Sequence, residues 1–319
     1  MSLRVLITAP YLQPALDRFR PLFRERGIEL VVPTVHERCD EEQLLQHIAG
    51  VDGVICGDDA FTPRVLGEAR RLKVIAKWGT GIDSIDQEAC SRLKIAVRNT
   101  PNAFTEPVAD SVLGYMLAFA RKLPWMNEEM QRCVWEKIPG RTLAECTLGI
   151  VGVGNIGKAV ARRAAAFGMT LLGTDPSPPA AAFVESTKIQ MVSLEALLAG
   201  ADFVSICCDL NRTSRRLFDD ERFGRMRSTA VLINTARGPI VDERALERAL
   251  LSGRLAGAAL DVFEVEPLPA DSPLRGLPSV MLAPHNSNSS PRAWEHVHRN
   301  TIRNLFESLG VAAPVWPSP

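Results

Sequence analysis

The chain has 319 residues, enough for about two domains with real cores, and Lys plus Arg equals Asp plus Glu at 37 each, so its formal net charge is zero. No extended basic stripe or arm is present, which argues against nucleic acid as a main partner. The cysteines at 39, 56, 90, 133, 146, 207 and 208 form no C-x-x-C and no metal-ligand spacing with histidine, so we expect reduced, mostly buried thiols and no metal.

The N-terminus runs from Met1-Ser2 directly into an apolar strand pattern too short for a signal peptide, and no apolar run reaches 18 residues. A soluble cytoplasmic protein with no membrane partner is the expectation. Residues 4–8 read as a strand and 12–26 as one helix, with Leu12, Leu16, Phe19 and Phe23 at helical spacing. A strand at 29–32, a helix at 40–49, a strand at 53–56, a short helix capped by Thr62, and strands at 72–76 and 95–97 follow. Such alternation indicates a parallel sheet covered on both faces. Ligands gather at the carboxyl ends of its strands, where the loops 77–83 and 99–102 fall.

A helix over 105–123 carries Val112, Tyr115, Met116 and Phe119 as an apolar band. Periodicity reads that band equally as an interface or as an ordinary core face. The stretch 125–146, with Trp125 and Trp135, leads into the central strand.

That strand, 147–151, enters Gly152-Val153-Gly154-Asn155-Ile156-Gly157, a G-x-G-x-x-G, and a helix over 158–167 leaves it. In such a turn Gly152 permits the tight bend, Gly154 lets backbone approach a pyrophosphate, and Gly157 packs helix against strand. The phosphates sit on the free N–H groups and positive end of the helix, at Asn155 and Ile156. A second strand, 169–174, ends on Asp175, 18 residues after Gly157, placed to accept from adenosine ribose hydroxyls. Asp175 repels a 2′-phosphate and Pro176-Ser177-Pro178-Pro179 supplies no arginine, so NAD is favoured over NADP.

After a weakly patterned stretch come a helix at 193–199, a strand at 202–206, a helix near 214–226, a strand at 229–233, a helix at 242–252 and a strand at 255–260. A last helix covers 290–308. Three strand ends carry chemistry: Asn234-Thr235-Ala236-Arg237-Gly238, Asp261-Val262-Phe263-Glu264-Val265-Glu266-Pro267 and Ala283-Pro284-His285. An arginine, a carboxylate and a histidine at the ends of one nucleotide-binding unit form a candidate active site. His36, His47, His296 and His298 read as solvated or structural.

Those motifs, with Gly79-Thr80-Gly81-Ile82-Asp83 and Asn99-Thr100-Pro101-Asn102, resemble the D-isomer-specific 2-hydroxyacid dehydrogenases, closest to the D-3-phosphoglycerate dehydrogenase branch. The resemblance covers nearly the whole chain. It implies an α/β protein of two doubly wound parallel-sheet domains with a cleft between them. A flavodoxin-like substrate domain takes residues 1–102 and 286–319, and a Rossmann-type cofactor domain takes 103–285. It also implies a homodimer built largely around the long helix.

The implied catalytic residues are Arg237, Glu266 and His285. Arg237 would fork onto a substrate carboxylate and polarise the carbonyl. His285 would exchange the proton, and Glu266 would fix its tautomer and raise its pKa. Asp261 would hold the nicotinamide carboxamide, with Thr235, Ala236, Arg237 and His285 beside the ring. Further cofactor contacts fall on Thr80, Cys207, Asp209 and Thr213. Substrate contacts fall on Lys77, Trp78, Gly79, Asn102, Arg237 and His285, although Lys77 reads equally as facing solvent.

Departures from the family pattern are informative. Cys207-Cys208-Asp209-Leu210-Asn211 replaces a His-x-Pro-Leu-Thr type of sequence, and Asn286-Ser287-Asn288-Ser289-Ser290 replaces a Gly-Gly type of loop. Gly57-Asp58-Asp59 stands where phosphoglycerate dehydrogenases tend to place a phosphate-binding arginine, and two carboxylates repel phosphate unless they point away. The chain ends soon after its last helix, so we expect no C-terminal serine-binding domain. The expected activity is NAD-dependent hydride transfer between a D-2-hydroxy acid and its 2-oxo acid. The alternatives are a glyoxylate or hydroxypyruvate reductase and, in another class, an NAD(H)-sensing corepressor. Formate dehydrogenase chemistry is disfavoured, since it needs no acid–base pair.

Overall fold

Two parallel sheets organise the chain, and the computed structural model describes residues 2–316. One unit comprises the residues up to Phe104 with those from Ser290, and the other runs Thr105–Ser289. The sequence reading breaks the chain after 102 and after 285; the observed breaks follow Phe104 and Ser289. Local contacts explain the difference. Phe104 packs on Trp78 of its own unit, ring centroids 5.8 Å apart, while the amides of Asn286 and Ser287 are held by Asp261.

The first unit is built on β1 (Leu3–Ile7), β2 (Ile28–Val31), β3 (Gly53–Cys56), β4 (Val74–Lys77) and β5 (Ala96–Arg98). Their order is β2-β1-β3-β4-β5, all parallel. The order reverses between β1 and β3, and in such sheets the crevice beyond that switch point receives ligand. The interior strands are buried along their length, as a doubly covered sheet requires. The closing helix, Pro291–Ser308, lies on β3, and a Cβ added to Gly53 would meet Leu305 at 2.7 Å.

The second unit carries β6 (Thr147–Val151), β7 (Thr170–Thr174), β8 (Gln190–Met191), β9 (Phe203–Ile206), β10 (Val231–Asn234), β11 (Gly257–Leu260) and β12 (Val280–Leu282). Their order is β12-β11-β10-β9-β6-β7-β8, again parallel throughout. The switch point lies between β6 and β9, so the glycine turn after β6 stands at the crevice.

Several expectations need correction. The single helix over 12–26 is two pieces, a 3₁₀ turn Gln13–Arg18 and a short helix Arg20–Arg24. Pro21 lacks the N–H that would continue the ladder, so it opens a new helix instead. Of the helix near 214–226 only Asp220–Arg225 forms, capped by Asp219 accepting from the Arg222 amide at 3.0 Å. The residues before it are bound into turns by Asn211 and Ser214. The long helix is Thr105–Arg121, and Lys122, in the left-handed conformation, separates it from a further helix at Leu123–Gln131. Its apolar band is spent inside the unit: Val112, Met116 and Phe119 pack in one core with Leu148, Ile150 and Val160. Helices at Gln87–Leu93 and Ala181–Thr187 carry too little periodicity to read from sequence.

Candidate active site

The turn after β6 has the steric signature of a phosphate cradle. Gly152 adopts φ +94°, and a Cβ there would lie 2.5 Å from the Cys208 amide nitrogen. A Cβ on Gly157 would overlap the Gly152 carbonyl oxygen. Gly154 differs, because a Cβ there would meet nothing within 4 Å. Its freedom from contact leaves the backbone open to an incoming group. Gly154 is also the N-cap of the Asn155–Ala166 helix, and no side chain caps that end. The positive end of the helix, with its first N–H groups, is directed at that opening.

Asp175 closes the turn from β7. One carboxylate oxygen accepts from the Val153 amide at 2.7 Å and the other from Ser177 at 2.7 Å. Each oxygen keeps a further lone pair for a ligand hydroxyl. Across the switch point, the amide of Cys207 is bound to the Val151 carbonyl, and its thiol meets Ser205 at 3.4 Å. Burial pushes the Cys207 thiol up to about 12 and the Cys208 thiol up to about 11, so both remain unreactive thiols. Asp209 gives its carbonyl to the Ser214 hydroxyl, and the Thr213 hydroxyl donates to Asn211 at 2.7 Å.

The three strand ends that carry the candidate chemistry are neighbours, since β10, β11 and β12 are paired in order with Asn234 opposite Leu260 and Leu260 opposite Leu282. Beyond β10 the Asn234 side chain braces its own loop, donating to the Arg237 carbonyl at 3.0 Å and accepting from the Ala236 amide at 3.1 Å. Gly238 then passes so close to the next loop that a Cβ would overlap the Phe263 backbone. These constraints fix where Arg237 leaves the chain. One arm of its guanidinium donates to the Ala236 carbonyl at 2.8 Å. The Thr235 hydroxyl is buried without a hydrogen-bond partner among the described residues, which is costly unless a ligand supplies one.

His285 and Glu266 are brought together. Nδ1 of the imidazole lies 3.1 Å from Glu266 Oε2, with both side chains mostly buried. The other Glu266 oxygen accepts from the Phe263 amide at 2.9 Å, which sets the carboxylate's orientation. His285 itself sits at φ +51°, its amide bonded to the Asp261 carbonyl at 2.8 Å. Asp261 is fully buried, and its two oxygens accept from the Asn286 and Ser287 amides at 2.7 and 2.9 Å. Its first role is therefore to hold the histidine's turn.

In the first unit the loops 79–80 and 99–100 are tied together. The Thr80 hydroxyl donates to the Thr100 carbonyl at 3.0 Å, and the Thr100 amide to the Gly79 carbonyl at 2.8 Å. Gly79 adopts φ +127° and Asn102 φ +63°. Lys77 is turned away from solvent: its ammonium lies 3.1 Å from Asp58 and donates to the Trp78 carbonyl at 3.1 Å. The Trp78 side chain is buried as well, its indole N–H donating to His298 Nδ1 at 2.9 Å. Tyr11 and Trp294 complete that aromatic cluster. His298 is thus structural and buried rather than solvated. Asp59 points inward, accepting from the Thr8 hydroxyl, the Cys39 amide and the Gly57 amide.

Sequence reasoning missed the braces. Asn234 reads in sequence only as part of a motif, though an Asn two residues before a loop amide is a known turn former. Glu243, whose carboxylate accepts from the Glu264 amide, has no local signal.

Comparison with known proteins agrees with this geometry. A family model described as "D-isomer specific 2-hydroxyacid dehydrogenase, NAD binding domain" matches residues 113–287. The chain is 34% identical to the hydroxypyruvate reductase of Thermotoga maritima over 86% of this chain and 90% of that protein. It is 36% identical to the D-3-phosphoglycerate dehydrogenase of Methanocaldococcus jannaschii over 91% of this chain but 54% of that protein, so it spans about half of that relative's length. A crystal structure of a Thermus thermophilus protein superposes with a TM-score of 0.84 at 36% identity, covering 98% of this chain and 99% of that one. The family model covers more than half of the chain, in the unit that holds both the glycine turn and the His285–Glu266 pair, and the chain therefore belongs to the D-isomer-specific 2-hydroxyacid dehydrogenase family, as an NAD-dependent oxidoreductase acting on CH–OH groups.

Proposed function

We propose that the protein interconverts a small D-2-hydroxy acid and its 2-oxo acid, of the glyoxylate and hydroxypyruvate kind. The observation that carries this reading is the 3.1 Å contact between His285 Nδ1 and Glu266 Oε2. It leaves Nε2 of the same ring as the atom that exchanges a proton with substrate oxygen. The second unit fits NAD: Gly154 leaves an open approach to an uncapped helix end, and Thr235 offers a hydroxyl in want of a partner. When bound there, NAD supplies or accepts the hydride.

The chain's own residues do the rest. Arg237 binds the substrate carboxylate in a fork and draws electron density towards the carbonyl oxygen. In reduction, His285 Nε2 gives a proton to the developing alkoxide; in oxidation, it takes the proton from the hydroxyl. Glu266, anchored by the Phe263 amide, keeps Nδ1 protonated and stabilises the imidazolium. Likeness to a hydroxypyruvate reductase over 90% of its length supports a small acid. We also read the protein as a homodimer, supported by exposed Leu123, Met130 and Trp135 within one short stretch. Light scattering on the purified protein tests that state.

The activity is tested by following NADH absorbance with glyoxylate, hydroxypyruvate, 2-oxoglutarate and phosphohydroxypyruvate. Turnover of glyoxylate or hydroxypyruvate is expected. Turnover of 2-oxoglutarate or phosphohydroxypyruvate alone, or of none, would overturn the reading.

A further inference from the structure

Two rims flank the glycine turn of the second unit, one from β7 and one from β9, because both strands pair with β6. Val151, the last residue of β6, lies opposite Thr174 of β7 and Ile206 of β9, so the chain leaves both neighbours level with Gly152. Asp175 follows β7 and is held by the Val153 and Ser177 amides at 2.7 Å each. The acidic end of this second strand is where adenosine ribose hydroxyls are met. The facing rim is Cys207-Cys208-Asp209. There the Cys207 amide is bound to the Val151 carbonyl at 2.8 Å, and a Cβ on Gly152 would lie 2.7 Å from the Cys208 Cα.

Asp209 is fixed at its backbone and open at its side chain. Its carbonyl accepts from the Ser214 hydroxyl at 2.6 Å, and the Asn211 side-chain oxygen accepts from the Thr213 and Ser214 amides at 2.8 and 3.2 Å, which closes the loop on itself. The residue is exposed, and no hydrogen bond or ion pair engages its carboxylate among the described residues. Both rims act on the thiol between them: burial, with the charges of Asp209 and Asp175, pushes Cys208 up to about 11. Asp209 takes the place of the proline in the family pattern, so this second charge is the chain's own.

We propose that Asp209 is a second specificity-determining carboxylate of the cofactor site: with Asp175 on the opposite rim it excludes a ribose 2′-phosphate, so that replacing Asp175 alone leaves NADH preferred to NADPH. This rests on the NAD site above and not on the identity of the 2-oxo acid. The two carboxylates act differently. Asp175 discriminates by contact, because a ribose hydroxyl donates to it and a phosphate has no proton to give. Asp209 discriminates by charge alone, as a repulsive element that costs NADH nothing in shape. Being exposed, its repulsion is screened by salt, over about 10 Å at 0.1 M and about 3 Å at 1 M.

Calorimetric titration with NADH and with NADPH, no 2-oxo acid being present, gives both dissociation constants for wild type, Asp175→Ser, Asp209→Asn and the double variant. At low ionic strength, Asp209→Asn is expected to lower the NADPH to NADH ratio of dissociation constants by about three- to tenfold, in wild type and again in Asp175→Ser, and by less than about twofold near 1 M salt. Asp209→Lys reverses the charge at the same exposed position and is expected to lower the ratio further than Asp209→Asn. An unchanged ratio in both Asp209 variants at low salt, an effect of equal size at high salt, or a preference for NADPH in Asp175→Ser would overturn the proposal. Failure of wild type to bind either dinucleotide would overturn the cofactor site together with it. Failure to turn over glyoxylate or hydroxypyruvate touches only the proposed substrate, since no titration depends on turnover.

Discussion

Glu266 reaches His285 Nδ1 at 3.1 Å with one oxygen while its other oxygen is held by the Phe263 amide at 2.9 Å. The carboxylate therefore has one orientation, and it fixes which ring nitrogen carries its proton inward. Replacing it by glutamine keeps the shape and removes the charge. A neighbouring carboxylate favours the imidazolium, so in Glu266→Gln the limb of the kcat/KM profile that reports the protonated ring is expected to move to lower pH. An unmoved limb would assign Glu266 a packing role only.

The glycines of the turn separate folding from binding. Gly157→Ala drives a methyl into the Gly152 carbonyl oxygen, an overlap with backbone that costs roughly 1–3 kcal/mol or more. Gly154→Ala meets nothing within 4 Å. Its melting temperature is expected to stay near wild type while NADH affinity falls by about tenfold or more, because the methyl occupies the path of the pyrophosphate. Calorimetry and thermal melts on the two variants check this; a Gly154→Ala protein with full NADH affinity would contradict it.

Asp175 is expected to set the cofactor preference. Its oxygens are anchored by the Val153 and Ser177 amides, so it cannot swing aside for a 2′-phosphate. Asp175→Ser is expected to raise the NADPH to NADH ratio in kcat/KM by about tenfold or more. An unchanged ratio would place discrimination elsewhere.

The second unit was the more legible in sequence, because its signals are local. The glycine spacing, the acidic end of β7 and the three strand-end motifs each lie within a few residues. The sequence groups an arginine, a carboxylate and a histidine at three strand ends, but no spacing announces that β10, β11 and β12 lie side by side; the sheet order does. The first unit was less legible. Proline decided the break at Pro21, which apolar spacing alone concealed. The partnership of Trp78 with His298 joins positions 220 residues apart, and no local pattern signals it. Asp58 and Asp59 look alike in sequence, yet the Thr8 and Cys39 donors bury one in a structural task while the other pairs with Lys77.

His298 makes the stability of the first unit depend on pH. Burial lowers its pKa from 6.5 to about 4, with Glu295 pulling upward and Arg18 pushing downward. The folded value lies below the unfolded one, so the unfolded chain takes up the proton first as the pH falls. This contribution is fully present above pH 6.5 and is lost progressively towards pH 4, by roughly 3 kcal/mol at about 1.4 kcal/mol per tenfold of proton affinity. His298→Gln keeps an acceptor for the Trp78 indole and does not titrate. The difference in urea midpoints between wild type and variant is expected to change across pH 4–6.5; a constant difference would contradict the buried neutral ring.

In the proposed reaction His285 exchanges the proton in the reduction of a 2-oxo acid. It is tested most directly by single-turnover NADH oxidation in wild type and His285→Ala, with NADH affinity measured on both. The variant is expected to bind NADH as wild type does and to lose roughly 10²–10⁴-fold in the rate of oxidation by hydroxypyruvate or glyoxylate. A variant that oxidises NADH at the wild-type rate would contradict it.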